Sequence, residues 1–116
     1  MADDRKQIGL TTHGKAVEAR LTDTLGWFSE GQEACRFALA YAVREGVSEG
    51  TTDQHVDTRW GADGFDPTGE IRHILRAAYP DCTTPVRLME YLIDEGLRRI
   101  SDSIDEGKDS PLDFLG

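Results

Sequence analysis

At 116 residues, 38% of them hydrophobic and 30% charged, the chain has room for one small domain with a thin core. A formal net charge of −9 argues against indiscriminate affinity for nucleic acid, which rests on cations that neutralise phosphates. The start MADDRKQ has no basic region leading into an apolar run, and no stretch reaches the roughly 20 apolar residues of a membrane span, so no membrane partner and a cytoplasmic location are expected.

The acidity is uneven: residues 46 to 66 and 101 to 116 carry −4 each, whereas residues 1 to 15 carry +1 through Arg5, Lys6 and Lys15. In QIGLT, Ile8 and Leu10 alternate with Gln7, Gly9 and Thr11, the period of a short strand. Thr12 is placed to cap a helix in which Val17, Leu21 and Leu25 recur at every fourth position and Gly26 supplies the stop. A second helix follows, with Ser29 as its cap, Gln32 completing a capping box, and an end near Gly46. From Ala34 to Val43 its only charged side chain is Arg36, so the helix must be enclosed by protein on most sides.

Residues 46 to 66 show glycines, acids and no sustained periodicity, and read as an acidic loop. Asp66 and Pro67 then open a third helix with Ile71, Ile74, Leu75 and Ala78 on one face, ended by Pro80. Thr84 and Pro85 open a fourth, whose stripe runs from Leu88 to Ile104. Gly96 in its middle costs about 1 kcal/mol against alanine, for which close approach of another backbone is a sufficient reason. Residues 105 to 116 read as a mobile acidic tail.

The expected fold class is therefore mainly α. A ribbon-helix-helix-like half over residues 7 to 45 (short strand plus two helices) is followed by two further helices over 67 to 104, all in one domain. A lone strand leaves backbone groups unsatisfied, so pairing with a second copy is expected. The homo-oligomer, a dimer or tetramer, would use Ile8, Leu10, Ala34, Phe37, Ala38 and Tyr41 as its interface.

The string Cys35-Arg36-Phe37-Ala38-Leu39, preceded by a strand and a helix ending at a glycine, resembles the DndE proteins of the bacterial DNA phosphorothioation system. The resemblance extends in order of elements over most of residues 7 to 104. Glu70 to Tyr79 is similar to the family's apolar third helix; where the family tends to have an Asn-Arg-Gly segment this chain has Asp94-Glu95-Gly96, so only the glycine carries over. The resemblance implies a small non-enzymatic oligomer that associates with DNA, favouring nicked duplex, alongside other proteins of a DNA modification system.

Strand readers of this architecture place outward side chains in the major groove. Here the candidates are Gln7 and Thr11, flanked by Arg5, Lys6, His13 and Lys15. Arg72 and Arg76, one turn apart on the third helix, form a second candidate surface for phosphates, while Glu70, Glu90, Asp94 and Glu95 read as partners in exposed ion pairs. Arg36, alone in an apolar helix, reads as a hydrogen-bond hub. Asp53, His55 and Asp57 have metal-ligand chemistry but sit in a loop where such a trio arises by chance, so no metal and no cofactor are expected. Cys35 and Cys82 lack CxxC spacing and read as reduced. With no GxSxG, P-loop or HExxH pattern, the chain is expected to be non-enzymatic. Two other roles fit the sequence: a ribbon-helix-helix regulator or antitoxin, and an acidic protein-protein adaptor that never touches DNA.

Overall fold

A computed structural model describes residues 4 to 115. In chain order it consists of β1 (Gln7–Leu10), α1 (Thr12–Ala19) continued by a π-helical turn (Arg20–Thr24), α2 (Gly31–Arg44), β2 (Asp57–Gly61), the single turn α3 (Ala62–Phe65), α4 (Glu70–Ala78), α5 (Pro85–Asp105) and a 3-10 turn (Pro111–Phe114). The protein is thus mainly helical, with a short antiparallel two-stranded sheet and the expected order of strand, two helices and two further helices. No helix among the described residues is long and apolar enough to cross a membrane.

α5 organises the molecule. Leu88, Met89, Leu92, Ile93, Leu97 and Ile100 are fully or almost fully buried, and α5 packs against α2, α1, β1 and α4 in turn. The apolar face of α2, namely Ala34, Cys35, Ala38, Leu39 and Ala42, is covered by this arrangement. Its small side chains let the two helices approach closely: a Cβ built on Gly96 would stand 2.0 Å from the carbonyl oxygen of Ala38. The enclosure expected from a second copy is supplied within the chain, because α5 is long and presents apolar residues to more than one neighbour. α2 ends in a left-handed glycine, Gly46, with Val47 N–H bonding back to the Ala42 carbonyl, a motif that satisfies the last carbonyls and tucks Val47 into the core.

β1 also finds its partner inside the chain. It pairs antiparallel with β2, Gln7 opposite Gly61 and Leu10 opposite Asp57, with an irregularity between Ile8 and Gly9. The reading of residues 46 to 66 as loop throughout is therefore corrected. Asp57 to Gly61 carries no apolar alternation, because its side chains are mostly exposed and only Trp60 is half-buried. Gly9 is required here, since a Cβ would meet Val56 and the Asp57 carbonyl at about 2.8–2.9 Å.

Several caps differ from expectation. Thr11, rather than Thr12, caps α1 by accepting from Gly14 N–H at 2.9 Å. Ser29 bonds the Glu33 carboxylate and Gln32 the Arg36 guanidinium, so the predicted capping box does not form. The tail is not detached: Phe114 is buried between Trp27, Phe37 and Tyr41, with ring centroids 6.1, 6.2 and 5.2 Å away. One aromatic residue suffices to dock it, and its acidic neighbours stay in solvent.

Candidate nucleic-acid interface

Two carboxylates fix the segments that carry the basic residues. Asp66, 2% exposed, accepts the N–H groups of Ile71 and Arg72 at 3.0 and 3.1 Å and the Arg72 guanidinium at 3.0 Å. Burial alone would raise its pKa, but these donors hold the carboxyl below the usual aspartate range. Asp4 does the same for α5, accepting from Val86 and Arg87 N–H at 2.9 and 3.0 Å. Between them, the Lys6 carbonyl accepts from Ala62 N–H at 2.9 Å, joining the approach to β1 to the start of α3.

These three ties bring together cations that lie far apart in sequence. Arg5, Lys6, Arg72 and Arg76 line one groove of about 550 Å³ whose walls also include Asp4, Asp63 and Val86. Arg72 and Arg76 continue onto a second groove, about 600 Å³, along the outer face of α4 with Thr68, His73 and Ile74. Arg72 is committed to Asp66 and, at 3.3 Å, to Asp63. Arg5 bridges Glu90 at 3.1 Å. Lys6 and Arg76 are exposed and have no carboxylate partner among the described residues.

The remaining sequence candidates divide. Gln7 is exposed on β1. Thr11 is 2% exposed and its hydroxyl donates to Asp94 at 2.6 Å, so it is corrected from an outward reader to a core cap. His13 and Lys15 are on the first turns of α1, outside the groove walls, and Lys15 pairs with Asp57. Of the residues assigned to an oligomer interface, Ile8, Leu10, Ala34 and Ala38 are core residues of the single chain and present no surface to a second copy. Phe37 and Tyr41 are half-buried beside Phe114. Arg36 is the hub expected of it, donating to the Phe65 carbonyl at 3.0 Å and to Gln32 at 2.9 Å, with its guanidinium 5.2 Å over the Phe65 ring.

Glu90 and Asp94, read as exposed partners, are 3% and 8% exposed, because β1 lies across that face of α5. Their spacing from Val86 by one and two turns was the available signal. Asp4 carries no local signal, since it caps α5 from some eighty residues away while Thr84 makes no side-chain cap bond of its own. Cys35 is fully buried, and burial, then the nearby Glu18 carboxylate, push its thiol pKa up, a poor setting for a nucleophile. Both cysteines are free. His55 contacts Asp57 at 3.1 Å, and no three His, Cys, Asp or Glu side chains among the described residues are grouped to hold a metal.

No protein-family model, curated protein or solved structure matches this chain.

Proposed function

We propose that this protein is a non-enzymatic, DNA-associated accessory protein that holds duplex phosphates in the groove between Arg5, Lys6, Arg72 and Arg76. The setting would be DNA phosphorothioation or a related modification or defence system, the role implied by the resemblance to the DndE proteins. The observation that carries the reading is convergence: two basic sets separated by more than sixty positions line one groove, where four cations outnumber Asp4 and Asp63. Guanidinium and ammonium groups in one groove suit a phosphate backbone, the former by planar bidentate contact and the latter as point charge. A homo-oligomer would add a second groove to the same duplex.

A gel-shift with intact and nicked duplex at two salt concentrations tests this. Retardation at low salt, stronger for the nicked duplex and lost on combining Lys6→Glu with Arg76→Glu, is the expected result. The adaptor reading also has an observation in its favour, since Asp4 and Asp63 share the groove with the cations. Absence of retardation for both duplexes at low salt would decide for it.

A further inference from the structure

Arg5 belongs to two environments. Its side chain, 30% exposed, stands in the groove wall, yet its Nη1 donates at 3.1 Å to Oε1 of Glu90, whose side chain is 4% exposed. The other Glu90 oxygen, Oε2, accepts Gly9 N–H at 2.9 Å. The charged groups around this carboxylate are Arg5 from the segment before β1, Arg87 on the same helix, and Asp94 one turn further along α5. Asp94 is in turn held by the Thr11 hydroxyl at 2.6 Å and Arg98 at 3.0 Å. The guanidinium at the groove is therefore shared with a buried acid.

Resting on the groove reading above, we infer that binding of a phosphate-bearing ligand is coupled to uptake of one proton by Glu90. Arg5 turns from Oε1 to the phosphate and stays protonated. Oε1, left buried without its cation, takes a proton from solvent and forms an O–H bond. No redox change is involved, and Oε2 keeps the Gly9 N–H, so β1 is held throughout. Desolvation already raises the Glu90 pKa in the free protein, with Asp94 adding to the rise and Gly9, Arg5 and Arg87 opposing it. Removing Arg5 takes away one opposing charge, so the pKa rises further in the complex. Between the two values the free protein is ionised at Glu90 and the complex is protonated. Affinity accordingly strengthens as pH falls through that window, which lies above the ordinary glutamate range, by at most about tenfold per pH unit for one proton.

Calorimetric titration of the full chain with a short nicked duplex, in buffers of different ionisation enthalpy and across a pH series, measures the uptake directly. About one proton per site is expected. Glu90→Gln should bind with the low-pH affinity at every pH and show no uptake through this group. Should that variant not fold by circular dichroism, Arg5→Ala, at the surface, should weaken binding and abolish the uptake. Wild-type binding without proton uptake overturns the inference and leaves the groove reading standing. Uptake that persists in Glu90→Gln also overturns it, assigning the proton to another group. No binding of the duplex at any pH overturns the groove reading, and the inference with it.

Discussion

Gly96 and Ala38 meet backbone to backbone: the hydrogen of the glycine Cα occupies a position where a methyl group would stand 2.0 Å from the Ala38 carbonyl oxygen. The contact sits where the two longest helices cross, so its effect is felt by the whole core. Gly96→Ala would gain about 1 kcal/mol in helix propensity, but relieving the clash requires the helices to part. The net expectation is destabilisation by about 3 kcal/mol, the upper range for overpacking, read as a lower denaturant midpoint with unchanged m-value. An equal or higher midpoint would mean that the helices are not in this contact.

Asp66 predicts a pH dependence of stability. Its folded pKa is depressed, so its contribution is fully present above the unfolded value of about 3.9 and is lost as pH falls through the folded value. Asp66→Asn removes the charge-assisted bonds to α4 and should cost about 1.5–3 kcal/mol at neutral pH. The difference between wild type and variant should shrink towards pH 2, as about every carboxylate protonates. Chemical denaturation of both proteins across this range checks the sign.

Phe114 predicts that the C-terminal turn is structural. Phe114→Ala should cost about 3 kcal/mol, the lower end for a large-to-small aromatic change, because the residue lies at the edge of the core. Trp27, which meets the Phe114 ring edge-on, should become more solvated and its fluorescence red-shift. An unshifted spectrum would return the tail to the solvent.

The groove predicts the salt response. Each phosphate contact contributes about −0.9 to the slope of log affinity against log salt. Combining Lys6→Gln with Arg76→Gln should flatten the slope by about 2, whereas Lys15→Gln, on the Asp57 side of the molecule, should leave it unchanged. A change confined to Lys15→Gln would move the binding face to α1 and the sheet.

Local signals placed the helices well. The glycine stop of α2 is a consequence of short-range geometry and is present in the structure. Of the fourfold set Val17 and Leu21 are buried but Leu25 is exposed, and α4 begins at Glu70 after Gly69 rather than at Pro67, with Asp66 accepting from its first turn from outside the helix. The close packing inferred at Gly96 is present as well. What escaped was long-range. β2 has no hydrophobic alternation because it is a ribbon edge held by backbone pairing. The burial of Glu90 and Asp94 depends on β1 crossing α5, a pairing of elements some eighty residues apart. The groove was legible only as two separate basic sets, since nothing local says that Lys6 and Ala62 share a hydrogen bond.

The central position of α5 has a consequence during synthesis. Chains are made from the N-terminus, and β1, α1 and α2 emerge well before the helix that covers them. Until residues 85 to 105 are made, Val17, Ala34 and Leu39 have no complete cover, and the nascent segment exposes apolar surface of the kind that holding chaperones recognise. Cooperative folding therefore waits for α5. A chain interrupted before it would be a substrate for proteolysis rather than a smaller functional domain.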